Sequence, residues 1–158
     1  MQTRVDAPAS KTLLTAGTKA PTFALQDQSG AVKTLEDAAG KAVVLYFYPK
    51  DATPGCTVEA RGFRDSYDVL SSAGATVYGV STDSVASHAS FAKDENLPFS
   101  LLSDEGGKLA AAYGVSVKMG FTSRVTFLIG ADGVIKKVYP DVTPSSHADE
   151  ILADLKAL

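Results

Sequence analysis

A chain of 158 residues with 45% hydrophobic content and a net charge of −3 suits one domain with a sizeable core. Its mild acidity argues against nucleic acid or an anionic membrane as a partner, and its longest apolar stretches are strand-sized, too short to span a bilayer. One cysteine excludes any intramolecular disulfide and fits a reducing compartment, so cytoplasm is the expected location.

Residues 1–14 carry Arg4 and Lys11 but no continuous apolar run. They fail as a secretory signal and read as a flexible leader to a single domain over 15–158. Thr22 to Gln26 and Ala31 to Lys33 flank Asp27-Gln-Ser-Gly30, a hairpin pattern. Leu35 to Ala39 reads as one helical turn stopped by Gly40. Ala42 to Phe47 is apolar at every position, as in a strand buried on both faces. The spacing of Val58, Phe63, Tyr67 and Leu70 predicts a helix over Pro54 to Ala73, with Gly74 as its stop. Thr76 to Ser81 is the next strand, and Ser84 to Glu95 a helix with Asp83 or Ser84 as its cap.

After Leu101-Leu102 a short helix is predicted over Lys108 to Tyr113. Arg124 to Ile129 is a second buried strand, and Ala131-Asp-Gly133 turns it into Val134 to Tyr139. Ser145 to Leu158 closes the chain as a helix. The alternation gives an α/β fold: a central mixed β-sheet flanked by helices, with an N-terminal β-hairpin extension. Two strands ending next to each other would bring Cys56 and Arg124 to one rim, where open α/β sheets carry their sites.

The chemistry gathers around Cys56. Pro54 suits the first position of a helix, because its missing N–H would be unpaired there anyway. Cys56 then falls in the first turn, where the helix dipole and free amides favour a thiolate. Thr53, three residues earlier, shares its face and can cap the helix. Gly55 removes side-chain bulk beside the sulfur and lets a substrate approach the backbone.

Pro49-Lys-Asp-Ala-Thr53-Pro-Gly-Cys56 resembles the active-site loop of the peroxiredoxins. The wider Phe-Tyr-Pro-Lys-Asp…Thr-Pro-Gly-Cys-Thr-Val-Glu-Ala…Phe-Arg-Asp is similar to the Q-type, or bacterioferritin comigratory, subgroup, as are Lys19 to Leu25, Phe99 to Asp104 and Arg124 to Ile129. The similarity runs from about Gly17 to the C-terminus. It implies a thioredoxin-like fold and a thiol-dependent peroxidase that reduces hydrogen peroxide or organic hydroperoxides without a cofactor or metal. Carried onto this chain, it makes Cys56 the peroxidatic nucleophile and gives the peroxide oxygens to the Thr53 hydroxyl. Arg124 would hold the thiolate and the developing charge, and Pro49 would shield the sulfur from bulk water. Cleaving an O–O bond displaces an oxyanion, so donors are needed along the line of attack, and arginine serves because it keeps its proton. Glu59 supports the site through an arginine or faces water.

Q-type members carry a second cysteine five residues after the first, here Arg61, or in the following helix, here near Phe91 or Ala92. Neither position holds one in this chain. A sulfenic acid on Cys56 would therefore be resolved by an external thiol (thioredoxin, glutaredoxin or a low-molecular-weight thiol) or by Cys56 of another molecule. The loop from Gly114 to Ser123, with Lys118 and Phe121, is shorter than in many relatives. The resemblance favours a monomer, with dimerisation through the rim as the alternative.

The remaining polar residues suggest less. His88, in a Ser-rich helix, and His147 lack metal-ligand spacing, and neither is placed by sequence beside Cys56 as a Cys-His hydrolase requires. Tyr46 and Tyr48 read as packing, and Arg64 with Asp65 as an ion-paired helix face. A redox sensor or holdase would carry the same residues as a peroxidase. Sustained turnover separates the two.

Overall fold

The computed structural model describes residues 2–158. Its frame is a five-stranded sheet ordered β10-β9-β4-β5-β6, formed by β4 (Ala42–Phe47), β5 (Ala75–Ser81), β6 (Ser100–Ser103), β9 (Val125–Ile129) and β10 (Ile135–Tyr139). β4 runs parallel to β5 and antiparallel to β9, so the sheet is mixed. The uninterrupted apolar run of β4 follows from burial on both faces. Successive side chains alternate across a strand, so Val43, Leu45 and Phe47 enter one core while Ala42, Val44 and Tyr46 enter the other. The first core is closed by α4 (Lys108–Tyr113) and the N-terminal strands. The second is closed by α1 (Pro54–Asp65), α2 (Tyr67–Ser72), α3 (Val85–Glu95) and α5 (His147–Lys156). This is the thioredoxin-like arrangement expected above.

Three local features differ from the sequence reading. The N-terminal hairpin of β2 (Phe23–Gln26) and β3 (Val32–Thr34) is a three-stranded sheet, because β1 (Arg4–Val5) adds to β2 with Val5 opposite Phe23. The segment read as a flexible leader thus lies along the domain: Ser10 N–H donates to Ala111 O at 2.8 Å and Leu14 N–H to Tyr113 O at 3.1 Å. Val5, Ala7, Leu13 and Leu14 pack against the first core. They are too scattered along the chain to form a visible apolar period.

The helix expected over 54–73 is two helices. Ser66 lies between them at φ −97° and ψ 3°, in the sparsely populated bridge region. The bend lets Tyr67 stack on Phe99 at 6.3 Å while Leu70 remains fully buried. A short hairpin, β7 (Val117–Lys118) with β8 (Phe121–Thr122), occupies the loop between α4 and β9. Met119, at its tip, is 96% exposed.

The antiparallel register of β4 and β9 sets up the site. Phe47 is opposite Val125, so β4 ends where β9 begins. The chain leaving β4 toward α1 and the residue entering β9, Arg124, therefore meet at one sheet edge.

Candidate active site

Cys56 is the third residue of α1 and is 1% exposed. The turn before it is set by Thr53, extended at φ −86° and ψ 154°, and by Pro54 at the first helical position. Thr53 occupies the N-cap position, but its hydroxyl makes no cap. It donates instead to Lys50 O at 2.7 Å, and its carbonyl accepts from Thr57 N–H at 2.9 Å. The hydroxyl proton being spent within the loop, Thr53 Oγ1 is left as an acceptor. Pro49 is half-buried in the segment between Tyr48 and Thr53.

Arg124 reaches this turn from the start of β9. Its Nη2 donates to Cys56 Sγ at 3.4 Å and its Nη1 to Glu59 Oε1 at 2.7 Å. Burial alone would lower the guanidinium, but the charges of Glu59 and Cys56 outweigh it and hold Arg124 above its ordinary value. Glu59 lies one turn beyond Cys56 and its side chain is 0% exposed, so it faces the arginine and not water. Burial pushes its carboxyl up to about 7 against the pull of Arg124.

Gly55 has a different reason from the one expected. A Cβ there would lie 3.0 Å from Arg124 Nη2 and 3.7 Å from its Cζ, so the missing side chain makes room for the guanidinium. Gly55→Ala is expected to push the guanidinium off the sulfur by a few tenths of an ångström and to slow Cys56 oxidation about tenfold. Thermal unfolding should barely change. Stopped-flow oxidation rates alongside a melting curve check both parts.

The segment preceding Thr53 is held by groups that sequence reasoning missed. Asp51 accepts from the Tyr48 hydroxyl at 2.6 Å and from the Ser87 hydroxyl at 2.8 Å, and pairs with His88 Nδ1 at 2.7 Å. Its backbone N–H donates to Asp83 at 2.8 Å. His88 is wholly buried, in contrast to the polar helix face read from its Ser-rich neighbours. Its Nε2 lies 3.0 Å from Leu102 O and so carries a proton. The available signal was the spacing of His88 with Phe91 and Ala92, one helical face that is buried. Tyr48 likewise does more than pack. Asp51, Asp83 and His88 are close enough to surround an ion, but Asp51 Oδ2 and Asp83 Oδ2 are already engaged by hydrogen bonds within the protein.

His147 is also buried, bonded to Thr126 Oγ1 at 2.8 Å and Glu150 Oε1 at 3.0 Å, and burial keeps it neutral. Arg61 pairs with Glu95 at 2.5 Å, and Arg64 donates to Glu95 O at 2.9 Å, tying α1 to α3. Arg64 also pairs with Asp65 at 3.0 Å. Phe91 and Ala92 are buried in the second core.

The arrangement places a thiol at a helix N-terminus against a fixed cation, and an acceptor hydroxyl three residues away. It suits attack by sulfur on a small polar molecule.

Comparison with known proteins agrees with that chemistry. Residues 16–138 match the model of the AhpC/TSA family. The chain is 48% identical over 146 residues to a putative peroxiredoxin bcp of Coxiella burnetii, covering 88% of this chain and 97% of that protein. It is 46% identical over 148 residues to the chloroplastic peroxiredoxin Q of Sedum lineare, covering 92% and 80%. Among solved structures, peroxidoxin BcpB of Mycobacterium tuberculosis superposes with a TM-score of 0.86 at 36% identity, covering 92% of this chain and 98% of that one. The chain belongs to the AhpC/TSA family and, within it, to the Q-type or bacterioferritin comigratory peroxiredoxins, which are thiol peroxidases.

Proposed function

We propose that this enzyme reduces hydrogen peroxide and small organic hydroperoxides by a one-cysteine cycle in which Cys56 is the nucleophile. The observation that carries the reading is the Arg124 Nη2 contact to a Cys56 sulfur at the first turn of α1, in a chain with no second cysteine.

Arg124 and the first-turn amides favour the thiolate. Peroxide enters with its O–H donated to Thr53 Oγ1, whose own proton is engaged by Lys50 O. This fixes the O–O bond relative to the sulfur. The sulfur lone pair attacks the near oxygen while the O–O pair leaves with the far one: Cys56–S⁻ + RO–OH gives Cys56–S–OH and RO⁻, and the alkoxide takes a proton to become ROH. Arg124 balances the charge as it passes from sulfur to oxygen. Pro49, half-buried beside the loop, limits water at the sulfur. One external thiol then condenses with the sulfenic acid to a mixed disulfide and water. A second thiol displaces Cys56 and leaves as the oxidised reductant.

Thioredoxin, a glutaredoxin or a low-molecular-weight thiol would serve, with the enzyme acting as a monomer. No helix among the described residues is long and apolar enough to cross a membrane. We assign the cycle to the cytoplasm, where such thiols stay reduced.

The test is peroxide consumption with a panel of reductants, with Cys56 followed by mass. Repeated turnover with a sulfenic acid or mixed disulfide on Cys56, both lost in Cys56→Ser, is the expected result. Turnover with Cys56 unchanged in mass sinks the reading. A single stoichiometric burst with no reductant able to sustain it points instead to a redox sensor or holdase.

A further inference from the structure

Arg124 presents two nitrogens to two different acids. Nη1 donates to Glu59 at 2.7 Å and Nη2 to Cys56 at 3.4 Å, and both acids are sealed from water. One cation cannot balance two buried anions, and an excess anion away from water is costly. Among the described residues Glu59 Oε2 has no hydrogen-bond partner, although the carboxylate of a purely structural ion pair normally has donors on both oxygens.

Among the described residues, the other titratable groups that feel this site supply no second cation. Tyr46, from β4, is a phenol kept neutral by burial and by the charges of Glu59, Cys56 and Asp51. His147, from α5, is kept neutral by burial. Asp51, from the loop before α1, is engaged by His88.

We propose that Glu59 stores the proton that Cys56 gives up, so that the two acids together carry one proton against one guanidinium. The proposal rests on the peroxidase reading for its use in turnover. Cys56–SH and Glu59–COO⁻ exchange to Cys56–S⁻ and Glu59–COOH, with no charge moved in or out of the pocket. Attack on RO–OH gives Cys56–S–OH and RO⁻. The sulfur no longer needs the guanidinium, Glu59 becomes the anion that Arg124 balances, and its proton neutralises the alkoxide to ROH. The sum is Cys56–SH + ROOH → Cys56–SOH + ROH. Glu59 holds the proton in reserve while Arg124 balances the charge.

Burial pushing the Glu59 carboxyl up to about 7 agrees with this role, because a group that stores a proton near neutral pH must titrate there.

The first arm of the test needs no turnover. The Glu59 carboxyl carbon, assigned by its absence in Glu59→Gln, is titrated by NMR in the reduced wild type and in Cys56→Ser. The Glu59 midpoint of the reduced wild type should lie about one pH unit above that of Cys56→Ser, where Arg124 serves Glu59 alone. The second arm follows the acid limb of the bimolecular rate with hydrogen peroxide. Glu59→Gln should move that limb down by about the same one unit, since coupling between two sites is reciprocal.

An unchanged Glu59 midpoint in Cys56→Ser overturns the proposal. So does an acid limb that moves up, the signature of a Glu59 that only steadies Arg124. A wild type without peroxidase activity removes the function proposed above, while the NMR arm still decides whether the proton is shared.

Discussion

Arg124→Lys is expected to lower the bimolecular rate of Cys56 oxidation by about 100-fold, the scale seen when one preorganised donor to a developing oxyanion is removed. The guanidinium spans two acids from opposite ends of its fork, at 2.7 and 3.4 Å. A lysine ammonium is a single point and cannot hold both. Glu59, fully buried and with the shorter bond, would capture it and leave the sulfur without its cation. Stopped-flow measurement with hydrogen peroxide reads the effect directly, and melting temperature controls for misfolding. A rate within about threefold of wild type would mean that the first-turn amides alone sustain the thiolate.

The second large effect is expected on stability. His88→Leu removes the partner of a buried carboxylate, a change that costs about 3 kcal/mol when one half of a buried pair is lost. Asp51 keeps the hydroxyls of Tyr48 and Ser87, which holds the cost at the lower end of the range. The urea midpoint should fall accordingly.

The same substitution should also slow peroxide reduction by about tenfold, through geometry. Asp51 follows Lys50, whose carbonyl holds the Thr53 hydroxyl. Ala52, between Asp51 and Thr53, sits at φ +62°, a left-handed conformation that costs an alanine about 1 kcal/mol or more. The Asp51–His88 pair keeps this strained loop in place. A fall in stability with an unaltered rate would confine His88 to folding.

The central frame was legible because its signals are local. Ala42 to Phe47 shows its double-sided burial in an unbroken apolar run. The meeting of Cys56 with Arg124 followed from strand logic joined to the family motif, although they meet where β4 ends and β9 begins, not at two strand ends. What was hidden depends on pairs distant in sequence. Asp51 and His88 are 37 positions apart, and each alone looks like a surface residue. The value of Gly55 depends on the Arg124 side chain, 69 positions later at the entry to β9. The N-terminal segment is held by single apolar side chains and backbone bonds to α4, which leave no periodic trace. The split at Ser66 lies inside a continuous helical pattern, and only packing decides it.

The stitching of α1 to α3 through Arg61, Arg64 and Glu95 has a consequence for the order of events after oxidation. The sulfur lies almost wholly below the surface, and no partner cysteine in the chain can draw it outward. On the one-cysteine cycle proposed above, oxidant and reductant must both reach this same buried sulfur. A second peroxide would fit wherever the first did, whereas a bulky protein thiol would need α1 to open locally around the buried sulfur. The firmness of that ion-paired seam therefore sets a race. A tighter seam favours small reductants and irreversible sulfinic acid, and a looser one favours rescue by a protein.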